Sequence, residues 1–125
     1  MADVEVIVVA NGCIDNTKEY VENLGGSFKL ICADAALGYA RATNLGIKAS
    51  VGQYVVLLNN DVILLPQQQN QWLLMLEHPF NIDAKMGLTG PMMFMHEKLN
   101  LKMMLFFCAM IKREAILKMI KAYPE

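Results

Sequence analysis

Residues Gly38–Asp61 read GYARATNLGIKASVGQYVVLLNND, and this stretch decides the fold. Leu37–Ser50 has the pattern of a helix that packs closely on a sheet: Gly38, Ala42, Gly46 and Ala49 are small, and Asn44 is a polar member among them. Gly52 lies just beyond as a terminator. Gln53–Leu58 then predicts a strand, with Tyr54–Leu58 wholly apolar or aromatic. The strand stops at once on Asn59, Asn60 and Asp61. A helix, a turn and a buried strand that ends in oxygen ligands form an α/β unit with a place for a hard divalent cation at the sheet edge.

Working outward, Val4–Val9 is a short β-branched run that predicts a strand buried on both faces, broken by Asn11-Gly12. Asp15, Asn16 or Thr17 caps a helix that reaches about Leu24 and is stopped by Gly25-Gly26. Ser27–Cys32 predicts a second strand. Pro66 suits the first turn of a third helix running through Trp72 to about Glu77 and ending before Pro79. Met86–Gly90 and Leu105–Lys112 predict further strands, and Arg113–Ala122 a last helix. The alternation predicts an α/β sheet, mainly parallel, with helices on both faces. Right-handed crossovers would bring the ends of Val4–Val9 and Gln53–Leu58 to one edge, where ligands of such sheets collect.

Composition narrows the function. The 125 residues suit a single domain, and 55% hydrophobic against 18% charged residues supports a filled core. A net charge of −1 argues against a broad nucleic-acid surface. The run Met103–Ile111 is far short of a membrane span. Cys13, Cys32 and Cys108 form no CxxC pair, which predicts reduced thiols in a cytoplasmic compartment. Most of the ten Met lie between Met86 and Met119, as soft core filler or as an apolar docking surface.

Three constellations carry chemistry. Asn59-Asn60-Asp61 can hold a metal that faces a phosphorylated ligand, although after a strand the same tripeptide commonly makes an Asx turn. The loop Asn11–Thr17 can bind an anion at a helix start or simply cap that helix, and it contains neither GxGxxG nor a P-loop. The small residues of Gly38–Gly52 allow a close approach to a sheet or a ligand, with Arg41 either reaching a diphosphate or solvated. Cys13 has no His near it in sequence to serve as a base, and His78 and His96 are isolated.

In this order the segments resemble family 2 glycosyltransferases with the GT-A fold. VEVIVVANGCIDNTKEYVENL resembles the family's second strand and its Asp-Asn-Gly-Ser-x-Asp-x-Thr loop. GYARATNLGIKASVGQYVVLLNND resembles the run into the metal-binding acidic motif, MGLTGPMM the strand after it, and FFCAMIKREAI the segment leading toward the acceptor site. The resemblance implies a domain that binds a nucleoside-diphosphate sugar with Mg²⁺ or Mn²⁺ and passes the sugar to a hydroxyl acceptor, whether saccharide, lipid-linked or protein. It implies Asp61 as the metal carboxylate. It places Asn59, Asn60, Asn11, Gly12, Asp15, Gly38 and Asn44 around the donor.

Ala10 stands where the family usually has an Asp that contacts the nucleotide. The family's opening strand and catalytic-base region have no counterpart between residues 1 and 125, so the expectation is one shortened GT-A-like domain. An unpaired apolar strand and the Met-rich stretch together predict a homo-oligomer. The alternative reading is a non-catalytic GT-A-like module that binds a nucleotide or a partner. A cytoplasmic placement, with attachment at a membrane periphery kept open, completes the expectations.

Overall fold

The computed structural model describes residues 4–60, 71–90 and 108–122, and the chain is α/β throughout them. The order is β1 (Val6–Asn11), α1 (Thr17–Leu24), β2 (Phe28–Ala33), α2 (Tyr39–Ala49), β3 (Tyr54–Leu58), α3 (Gln71–Ile82), β4 (Leu88–Thr89), β5 (Cys108–Lys112) and α4 (Arg113–Ala122). Each described strand and helix overlaps one that the sequence pattern placed, with differences at the ends. Asp61, Pro66 and the methionines from Met92 to Met104 lie outside the described residues.

β1 and β2 pair in parallel, from Val6 opposite Phe28 to Asn11 opposite Ala33. The β1 ladder therefore runs through Asn11 rather than stopping at Val9, because Asn11 still has a backbone partner on β2. Among the described residues β1 pairs with β2 alone. Its side chains are mostly half-buried and Val6 is exposed, so β1 is not covered on both faces as its composition suggested. α1 packs on β2 and α2 on β1. Gly46 lets α2 approach closely, since a Cβ there would sit 3.3 Å from Val9 Cγ2.

The second sheet has the order β3-β5-β4, and both of its pairings are antiparallel. Val55 faces Ile111 and Leu57 faces Ala109 across the β3–β5 ladder. The apolar nucleus sits against this sheet. Leu76 and Phe80 of α3 and Met110 of β5 are buried together, with Tyr54, Val56, Trp72, Leu73 and Met86 packed around them. Phe80 stacks on Tyr54 at 4.9 Å between ring centroids, and the Lys112 ammonium lies 5.7 Å over its ring. Met86 and Met110 are thus core filler, whereas Met75 and Met119 are exposed.

The third helix overturns the expectation that it ends before Pro79, because α3 continues to Ile82 with Pro79 inside it. Proline supplies no N–H to the carbonyl one turn back and costs about 3 kcal/mol in a helix interior. Burying Leu76 and Phe80, one turn apart, offsets that with about 1.5–3 kcal/mol each. The turn re-forms at once, with Asp83 N–H donating to Pro79 O at 3.1 Å.

Two polar ties join the sheets. Glu5, just before β1, accepts the N–H of Val51 at 2.6 Å and of Gly52 at 3.2 Å through Oε1, while its Oε2 accepts from Lys29 Nζ at 2.6 Å. The Lys29 ammonium above all, and then the Val51 N–H, hold the Glu5 carboxyl below its ordinary value. Ser50, buried at the end of α2, donates its hydroxyl to Ile47 O at 2.7 Å and accepts Arg113 Nε at 3.1 Å. The starts of β1, β3 and α4 are thereby held at one edge.

Candidate functional site

At the opposite end of β1 and β2 the parallel register delivers two loops side by side. Asn11 lies opposite Ala33, and the Gly12 N–H extends the ladder by donating to Ala33 O at 3.0 Å. The loops before α1 and before α2 therefore leave the sheet together.

The Asn11 side chain crosses between them. Its Oδ1 accepts the Leu37 N–H at 2.7 Å, and its Nδ2 donates to Gly38 O over a longer 3.5 Å. Gly12 adopts φ +71°, and a Cβ there would stand 2.6 Å from the backbone N of Ala36. Only glycine combines that conformation with so close an approach. Gly38, at φ +82°, accepts the Ala42 N–H at 3.2 Å and so starts α2. The structure thus brings Asn11, Gly12 and Gly38 into one rim.

Asp15 sits on the same loop but is turned to local work. Its Oδ1 accepts both the Thr17 hydroxyl at 2.6 Å and the Thr17 N–H at 3.0 Å, an Asx turn that opens α1. The Thr17 hydroxyl first, then its N–H, hold the Asp15 carboxyl below its ordinary value. Of the three residues expected as caps, the side chain that acts is Asp15. Cys13 and Ile14 between these points are exposed, as is Tyr39 at the start of α2.

Asn44 is half-buried on α2, within the helix that Gly46 seats against β1. Asn59 is half-buried and Asn60 exposed immediately after β3. One participant in the rim is not among the residues that the sequence singles out. Leu37 enters through its backbone N–H, which no side-chain pattern reveals. At the opposite edge, outside the rim, the tie made by Glu5 did leave a signal, as an acid set inside the apolar run VEVIVV.

Paired loops beyond the carboxyl ends of parallel strands define an α/β protein of the open-sheet class, whose ligands bind at that rim. Comparison with known families resolves the class further: the family described as Glycosyl transferase family 2 matches residues 1–84. The chain belongs to the family 2 glycosyltransferases, as its motifs predicted. The matched span takes in the rim, α2, β3 and Asp61. No curated protein matches the chain. Among the described residues no helix is long and apolar enough to cross a membrane.

Proposed function

We propose that residues 1–125 form one GT-A-like domain with a mainly parallel sheet between helices. This domain binds a nucleoside-diphosphate sugar and supports transfer of the sugar to a hydroxyl acceptor. The observation that carries the reading is the family match spanning the clamped rim and Asp61 together. The tie from Glu5 to Val51 and Gly52 supports it as well. That tie sets the start of β1 beside the residues that lead into β3, as expected if the two strands serve one site.

In this reading Asn11, Gly12, Asp15, Gly38 and Asn44 shape the nucleotide side of the donor site. Asn59 and Asn60 line its ribose or metal side, and Asp61 supplies a carboxylate to the cation. The donor set fits Mg²⁺ or Mn²⁺, because one carboxylate beside amide oxygens leaves positions for phosphate oxygens and water, which is how such hard cations are held. When bound, the cation neutralises charge that builds on the leaving diphosphate. The acceptor oxygen forms a bond to the anomeric carbon as the bond from that carbon to the diphosphate oxygen breaks; the bonding pair leaves on the diphosphate, and the acceptor hydroxyl gives its proton to a general base. The chain's contribution is to hold the diphosphate and orient the anomeric carbon for that displacement.

Calorimetric titration with uridine and guanosine diphosphates in the presence of Mn²⁺ tests the reading, with Asp61→Ala beside the native chain. The expected result is binding by the native chain that weakens at least about tenfold in the variant, the loss of one charge-assisted metal contact. No binding by either protein overturns the donor site. Equal binding by both overturns the role of Asp61.

A further inference from the structure

We propose that Asn11 is a positioning residue of this site: its amide fixes the path of residues 35–38, and it does not itself touch the donor. The inference rests on reading the rim as the donor site, and it departs from the simpler idea that Asn11 is a ligand contact.

The amide is already committed at both ends. Its Oδ1 is engaged by the Leu37 N–H at 2.7 Å, a strong bond spanning 26 residues of chain. Its Nδ2 faces Gly38 O at 3.5 Å, too long to add much energy but enough to orient the amide so that its oxygen meets Leu37. Both ends of the amide are thus turned toward the second loop. A donor contact by either end would have to compete with that loop.

The backbone of the same pair of residues reinforces the clamp. Gly12 N–H donates to Ala33 O, and the Gly12 Cα comes so close to Ala36 that no side chain fits between them. Loop 34–38 is therefore gripped at Ala33, at Ala36 and at Leu37. It ends at Gly38, whose carbonyl receives the first helical N–H of α2, from Ala42. Gly38, assigned to the donor in the proposed reading, takes its position from this loop, and α2, which carries Asn44, starts from it. Asn11 acts on the donor through them.

The test pairs two measurements on each variant. Amide hydrogen exchange at Leu37 in the ligand-free protein reads the clamp, and calorimetric titration with uridine and guanosine diphosphates plus Mn²⁺ reads the site. Asn11→Ala is expected to speed Leu37 exchange and to weaken nucleotide binding, each by about tenfold, the size of one lost hydrogen bond of about 1.4 kcal/mol. Asn11→Asp keeps an oxygen for the Leu37 N–H and is expected to keep its protection. Gly12→Ala leaves the Asn11 amide in place but pushes Ala36 aside, and it is expected to weaken nucleotide binding as Asn11→Ala does.

Weaker binding in Asn11→Ala with unchanged Leu37 exchange overturns the proposal in favour of direct contact. Faster Leu37 exchange with unchanged binding overturns it too, since the loop would then position nothing. Should Asn11→Ala not fold, unprotected Leu37 in Asn11→Asp or full binding by Gly12→Ala overturns it. Failure of the native chain to bind either nucleotide defeats the donor-site reading and, with it, the positioning role; Leu37 exchange still reports whether the clamp itself exists.

Discussion

Glu5 is the polar hinge-pin between the two sheets, and removing it tests how they are held. Its carboxylate accepts Lys29 Nζ at 2.6 Å, Val51 N–H at 2.6 Å and Gly52 N–H at 3.2 Å. The Lys29 side chain is 51% exposed and that of Glu5 22%, so water screens the ion pair and it adds at most about 0.5–1 kcal/mol. Val51 is itself 75% exposed, so its freed N–H can rehydrate. Each backbone bond is then worth about 0.5–1 kcal/mol, toward the lower end of the usual range. Glu5→Ala is expected to cost about 2 kcal/mol at neutral pH, and Glu5→Gln, which keeps a neutral acceptor for Val51, about 1 kcal/mol.

The pH dependence follows from the direction in which the Glu5 carboxyl moves. Its folded value lies below the ordinary 4.5, so its charge-dependent stabilisation is fully present above that unfolded value. It is lost as pH falls through the lower folded value. Urea unfolding of the native chain and both variants at neutral pH and at about pH 3 measures this, with the gap between native and Glu5→Gln closing in acid. A native chain no more stable than Glu5→Ala at neutral pH would refute the reasoning. So would a gap to Glu5→Gln that survives acidification unchanged.

Two further outcomes are expected. Phe80→Ala should lose about 3–5 kcal/mol in the same unfolding assay, because it empties the centre of the nucleus formed with Leu76, Met110 and Tyr54; a loss under about 1 kcal/mol would mean that α3 does not dock there. Asp15→Ala should lower the protection factor of the Thr17 amide, and protonation of Asp15 in the native chain should lower it too, relative to the intrinsic exchange rate at each pH, as pH falls through the depressed Asp15 value; a protection factor that ignores both changes would remove Asp15 as the start of α1.

Much of the local structure was legible. Apolar alternation and helical spacing located β1, α1, β2, α2, β3 and α4 to within a few residues, because each element's period is written in its own side chains. The motif order also led to the family that the matched span of residues 1–84 supports. Pro79 misled, because a rule for isolated helices yields to the burial of Leu76 and Phe80 beside it. Among the candidate site residues, the sequence singled out Asn11, Gly12 and Gly38. It was silent on their mutual contacts, which depend on the backbone of Leu37 and Ala36.

The sequence by itself determined the element order, the α/β class and the family, since all three depend on patterns read within short windows or on motifs in series. Only the tertiary structure decided that β5 lies between β3 and β4 and runs antiparallel to both. It alone decided that Glu5 binds the chain before β3, and that the Asn11 amide grips Leu37. Those are hydrogen bonds between groups 26 or more residues apart, and every backbone N–H and carbonyl is chemically alike. Which one finds which is settled by packing, not by the residues on either side.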